Sequence, residues 1–182
     1  FSNLSSFTTD DREAARAAAE YLIRSGHRKI GIVCGSAVSE AGLIGSKRVD
    51  SAITAFKENK IPFDKRKQFV PGKFSLEDGY NGTMKLLDRY PEVTAIYAVS
   101  DVVAIGALRA INDRNLKVPQ DISIIGNDGI DFARYVTPRL ATVEQDASQL
   151  AKRSVDDLLL RLNYNKPVIH EIIPFHVLAG ES

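Results

Sequence analysis

The chain has 182 residues, 44% of them hydrophobic and 26% charged, the composition of a globular protein long enough to bury a core. Its 24 basic and 23 acidic residues leave a formal net charge of +1, without the basic excess expected of a domain that grips nucleic acid itself. One cysteine, Cys34, excludes a disulfide framework within the chain, and neither a signal-peptide pattern nor a membrane-length apolar run occurs, so a soluble cytoplasmic protein is expected.

In chain order, Asp10 and Glu13 have capping-box spacing ahead of a helix with a small-residue face, Ala15, Ala18, Ala19 and Leu22, which Gly26 stops. "KIGIVCG" (Lys29 to Gly35) reads as a buried strand. Residues 46–58 carry Val49, Ala52, Ile53 and Phe56 at helical spacing, "QFVPG" is a short strand, and residues 76–88 are again helical. "VTAIYAV" (Val93 to Val99) is a β-branched strand that leads to Asp101, placed to N-cap a helix with the stripe Val103, Ala104, Ala107, Leu108 and Ile111. "DISIIG" is the next strand. Beyond it lie an extended segment, Thr137 to Asp146, a helix with Ala151, Val155, Leu158, Leu159 and Leu162, a turn at "NYNKP", and "VIHEIIPFHVLAGES", which alternates like one edge strand. This βα alternation predicts an α/β fold with a parallel sheet flanked by helices on both faces.

Catalytic signatures are missing from the pattern. His27, His170 and His176 have no metal-ligand spacing with each other or with Cys34, no G-x-S-x-G or G-x-G-x-x-G run occurs, and "GLIGSKR" lacks phosphate-loop spacing. Neither metal nor cofactor is expected, and an enzyme is not the favoured reading.

Parallel sheets bind ligands outside the carboxyl ends of their strands, and both Ser100-Asp101 and Asn127-Asp128 fall there. A small polyol needs a carboxylate to accept from neighbouring hydroxyls, a guanidinium to donate to oxygens, and an aromatic face over the ring. Asp128, between Gly126 and Gly129 at a strand end, Arg48 near a helix start and Phe74 after a strand could supply these. Each has a plainer alternative: Asp128 caps its turn, Arg48 is a solvated helix-face charge, Phe74 plugs the core, and Ser100 and Asp101 cap a helix, the better reading for Asp101.

The segment Ala98 to Asp146, "AVSDVVAIGALRAINDRNLKVPQDISIIGNDGIDFARYVTPRLATVEQD", resembles the effector-binding core of LacI/GalR-type bacterial transcription regulators. "AAEYLIRSGHRKIGIVCG", "SKRVDSAITAF" and "GKFSLEDGY" are similar to upstream motifs of that family. The resemblance implies a periplasmic-binding-protein-like type I fold of two Rossmann-like lobes: residues 1–28 part of an N-terminal lobe, 29–141 a nearly complete C-terminal lobe, 142–167 a return helix, and 168–182 a crossover strand. It places Arg48, Phe74, Ser100, Asp128 and Gln145 at effector-contacting positions. Asn127 and Gly129 replace an aromatic and a second acid, and Ser51 replaces a glycine, so no one sugar follows, and a purine or another metabolite stays open.

The expected function is effector sensing, with a carbohydrate as the effector, in a homodimeric regulator that reads operator DNA through a headpiece absent from this chain. The alternatives are a periplasmic sugar-binding protein of a transport system and an enzyme on a similar sheet. The chain opens at Phe1 and is read as N-terminally truncated.

Overall fold

The computed structural model describes residues 3–35, 44–164 and 166–182. Gly42 and Leu43 of the "GLIGSKR" run, and Asn165 of the "NYNKP" turn, therefore lie outside the described residues. In chain order the elements are β1 (Ser6–Thr8), α1 (Asp11–Arg24), β2 (Ile30–Val33), α2 (Ile44–Glu58), the short α3 (Lys65–Gln68) and β3 (Phe69–Val70). There follow α4 (Leu76–Arg89), β4 (Ala95–Ala98), α5 (Asp101–Asp113), β5 (Ser123–Asp128), a 3-10 turn (Asp131–Arg134), β6 (Ala141–Gln145), α6 (Ala147–Tyr164), β7 (His170–Ile172) and β8 (Phe175–Leu178).

The chain forms two compact units. Asp11–Glu144 with Val177–Ser182 make the larger, and the chain up to Asp10 with Gln145–His176 the smaller. Helix α1, with its buried face of Ala14, Ala15, Ala18, Ala19 and Leu22, packs against α2 within the larger unit. The last segment departs from expectation. Pro174 interrupts it, and the single edge strand becomes β7, paired with β1, and β8, which lies beside β6 in a different sheet.

The larger unit is built on the sheet order β3-β2-β4-β5-β6-β8, and its β2–β3, β2–β4, β4–β5 and β5–β6 pairs are parallel. All residues of β2 and β4 are buried, as parallel strands covered on both faces must be. Ile32, Tyr97, Ile125 and Ala141 align across four strands and fix the register. The α4–α5 crossing is close. A Cβ on Gly106 would meet the Leu76 carbonyl oxygen at 2.1 Å, and one on Gly79 the Val103 carbonyl oxygen at 2.3 Å, so both helices need glycine where they touch.

In the smaller unit β1 and β7 pair in parallel, Ser6 opposite His170, beside α6. The polar "SFT" of β1 carried no strand pattern, and its pairing with β7 is what makes it one. Arg153 of α6 reaches Glu171, with Nε 3.1 Å from the carboxylate.

Candidate functional site

Strand order reverses between β2 and β4, the kind of position at which parallel sheets hold ligands outside the carboxyl ends of their strands. β5 runs past the end of β4: Tyr97 pairs with Ile125, and three further residues carry β5 to Asp128, opposite Glu144. Asp128 has φ +125°, a conformation that non-glycine residues adopt at a cost of order 1–3 kcal/mol and that recurs at ligand sites. The two glycines around it answer to specific neighbours. A Cβ on Gly126 would stand 2.2 Å from Asp101 Oδ1, and one on Gly129, itself at φ +74°, would stand 2.6 Å from Glu144 Cα.

Asp101 is not the cap of α5. Ser100 is: it has extended backbone (φ −153°, ψ 162°), and its hydroxyl oxygen accepts from Val103 N at 3.3 Å. Asp101, one residue inside the helix and fully buried, turns its carboxylate to the β5–β6 edge instead. There it accepts from Thr142 Oγ1 at 2.6 Å and from Ile130 N at 2.8 Å. Burial pushes its pKa up to about 6, with the charge of Asp128 adding to the rise, against the hydrogen bonds from Thr142, Ile130 and Gly129 that favour the anion.

Arg48 is not a solvated helix-face charge. Its side chain is 4% exposed, and each of its nitrogens faces a protein acceptor. Nε and Nη2 lie 3.0 and 2.9 Å from Asp11 Oδ1, while Nη1 donates to the Val99 carbonyl at 2.7 Å and lies 2.9 Å from Asp128 Oδ1. Turned with its carbonyl oxygen toward the guanidinium, the buried Asn127 amide accepts from Nη1 and Nη2 at 3.2 Å each. Burial works against the Arg48 charge, and the two carboxylates more than offset it, so its pKa is raised. Beside this group the Tyr97 hydroxyl is fully buried and has no hydrogen-bond partner among the described residues. Burial raises its pKa, Arg48 opposes that, and the surrounding acids reinforce it.

Of the expected site residues, Arg48 and Asp128 are brought into direct contact, and Ser100 follows the Val99 carbonyl that Arg48 holds. Phe74 does not plug the core. It is 45% exposed on the segment entering α4 and is not part of the ionic network. Gln145 ends β6 and belongs to the smaller unit. Asp11 and Thr142 carried no sequence signal, because each finds its partner from more than thirty residues away. A cavity of about 520 Å³ beside β6 and β8 is lined by Ile130, Arg134, Thr142, Glu144 and Leu178, among others, but by neither Arg48 nor Asp128.

Among the described residues no group of three or more His, Cys, Asp or Glu side chains could hold a metal ion, and no helix is long and apolar enough to cross a membrane. His27 lies 3.1 Å from Thr94 Oγ1 and His170 2.8 Å from Ser6 Oγ. Burial, with Asp78 nearby, pushes the Cys34 thiol up to about 12, which removes it as a nucleophile.

Residues 3–182 match the periplasmic binding protein-like domain. The ribose operon repressor of Haemophilus influenzae is 37% identical over 145 residues, which cover 80% of this chain and 42% of that repressor. A complex of the transcriptional regulator CelR with cellobiose superposes with a TM-score of 0.89 at 25% identity, over all of this chain and 54% of that one. A LacI family regulator from Enterococcus faecium with bound ribose superposes with a TM-score of 0.86 at 29% identity, over 98% of this chain and 65% of that one. This chain thus spans about half the length of the proteins it matches. A parallel sheet wound as βα units, matched end to end by one family model and by such regulators, has one consequence: the chain belongs to the periplasmic binding protein-like domain family, in the form carried by LacI-type transcription regulators.

Proposed function

We propose that this chain is the effector-sensing part of a cytoplasmic transcription repressor, and that its effector is a small carbohydrate held at the carboxyl edge of the larger unit's sheet. The observation that carries the reading is Asp128: a carboxylate at a strand end, on a strained backbone, paired with a buried arginine at 2.9 Å. Strain of this kind persists only where the surroundings over-determine it, and a held carboxylate is the acceptor that paired sugar hydroxyls need. The names of the relatives support the ligand class: a ribose operon repressor, and regulators solved with ribose and with cellobiose.

In this reading Asp128 accepts from the ligand and Arg48 fixes and charges it. Ser100 and Phe74 border the site, and Gln145 is a further effector-contacting residue. The larger unit corresponds to the C-terminal lobe, and the smaller to part of the N-terminal lobe. The protein works as a homodimer and contacts operator DNA through a headpiece outside this chain. Effector favours one arrangement of the lobes, and the preference reaches the DNA as a coupling free energy of ~1–3 kcal/mol.

The test is calorimetric titration with D-ribose and D-glucose. Asp128→Ala should weaken binding by about tenfold to a hundredfold, the worth of a hydrogen bond to a charged group, with an unchanged circular dichroism spectrum. Equal affinity in variant and wild type removes Asp128 from the site.

A further inference from the structure

The ionic group at this site is unbalanced in a way that bears on ligand charge. Among the described residues, the Arg48 guanidinium meets two carboxylates, Asp11 and Asp128, and the neutral amide of Asn127. The three charges are also unequally placed. The arginine side chain is 4% exposed, Asp11 is 20% and Asp128 29%, so solvent and ligand meet carboxylate while the guanidinium lies behind it.

The donor inventory points the same way. A guanidinium has five N–H groups and no acceptor. Here Nε points at Asp11, Nη2 at Asp11 and Asn127, and Nη1 at Val99, Asp128 and Asn127. A ligand carboxylate or phosphate would have to displace one of these acceptors, and would do so next to two carboxylates of its own sign. A ligand hydroxyl can donate to Asp128 without bringing a charge of like sign to the two carboxylates. Asp11 is decisive in this arrangement because it is the acceptor that faces Nε, shares Nη2 with Asn127, and brings a second negative charge to the guanidinium. Without it, Nε would lose the acceptor it has here, Nη2 would keep only the neutral Asn127 amide, and the charges of Arg48 and Asp128 would balance.

We propose that Asp11 is a specificity-determining residue: by occupying Nε and Nη2 of Arg48 it selects neutral hydroxylated ligands over their carboxylate- and phosphate-bearing counterparts. The inference rests on the effector-site reading above for the identity of the ligand, and on the geometry of Arg48 alone for the sign of the discrimination.

Two arms of one experiment test it in the intact protein. In the first, calorimetry compares D-ribose with D-ribose 5-phosphate, and D-glucose with D-glucuronate. Wild type should favour the neutral member of a pair by at least about tenfold, Asp11→Ala should cut that preference by about tenfold, and Asp11→Asn, which keeps one acceptor, should lie between. The second arm needs no sugar. Inorganic phosphate, against chloride at equal ionic strength, should raise the melting temperature of Asp11→Ala and leave that of wild type unmoved. A wild type that binds the anionic sugars as tightly as the neutral ones, or an Asp11→Ala protein with the wild-type preference, overturns the proposal, as does an equal phosphate response in both proteins. Failure of all four sugars to bind counts against the carbohydrate reading, and the phosphate arm then decides the proposal alone.

Discussion

Helix α5 of the larger unit and helix α6 of the smaller carry equally regular apolar stripes, yet α5 buries Val103, Ala104, Ala107, Ala110 and Ile111 while α6, with 18 residues against 13, buries none of its own. Leu158, Leu159 and Leu162 of α6 are 57%, 52% and 74% exposed. What separates the two helices is the sheet each has for support. Within this chain α5 lies on β4 and β5 of a six-stranded sheet, whereas α6 lies beside β1, in a sheet of two strands. The polar groups follow the same division. The larger unit holds an arginine and a carboxylic acid, Arg48 and Asp101, almost out of water, and the smaller displays its ion pair on the surface. A charge is held at low exposure only where packed elements supply its partners from several directions, so the candidate site sits on the unit with the closed core.

The sharpest way to break this comparison is to remove the buried cation. In Arg48→Leu the carboxylates of Asp11 and Asp128 lose their shared partner, and the Val99 carbonyl loses its donor. Uncompensated charges of this kind cost about 3 kcal/mol or more, so the urea midpoint of the variant should fall well below that of wild type. A midpoint within error of wild type would mean that Arg48 is held by its aliphatic stem and that the ionic network adds nothing.

That network was half legible in the sequence. Asp128 and Arg48 stood out because an acid at a strand end and an arginine opening a helix are local patterns, and the βα alternation placed both near one sheet edge. The choice between Ser100 and Asp101 as the cap was not legible. They are adjacent, both are good cap residues, and the decision rests on which one takes extended backbone. Asp11 was hidden for a different reason: it sits in the first turn of α1, where an acid is already explained by the helix dipole, and its pairing with Arg48 needs α1 and α2 to be packed. Gly126 was legible only as the glycine that closes the strand run "DISIIG", and its cause, the carboxylate of Asp101 at the same point in space, is a tertiary fact. The single strand expected across Val168 to Ser182 failed because period-two alternation says nothing about which sheet each half joins.

The next effect in size concerns pH. Asp101 has its pKa raised by burial from an ordinary 3.8 to about 6, so its protonated form is the one the fold prefers. The stability this contributes is fully present below the unfolded value, near 4, and is lost as pH rises through about 6. The loss amounts to about 3 kcal/mol. Asp101→Asn is neutral throughout and lacks this component. Its stability relative to wild type should therefore climb between pH 4 and 6 and level off above, in urea titrations at each pH. A flat difference across that window would show that Asp101 titrates like an exposed acid, and that the cover given by Thr142 and Ile130 admits water.

The smallest effect belongs to the smaller unit, and it tests the comparison from the other side. Arg153 pairs with Glu171 and lies 5.9 Å above the Phe7 ring, a contact set that on paper rivals that of Arg48. Its side chain is nevertheless 45% exposed and that of Glu171 35%, so water screens the pair and solvates either partner left alone. Arg153→Ala should accordingly leave the urea midpoint within error of wild type at physiological salt, and any loss detected at low salt should vanish as salt is added. A salt-independent loss comparable to that of Arg48→Leu would place Arg153 in a closed environment. It would also mean that β1, β7 and α6 protect their polar contacts as the six-stranded sheet protects its own, which the bare leucines of α6 argue against.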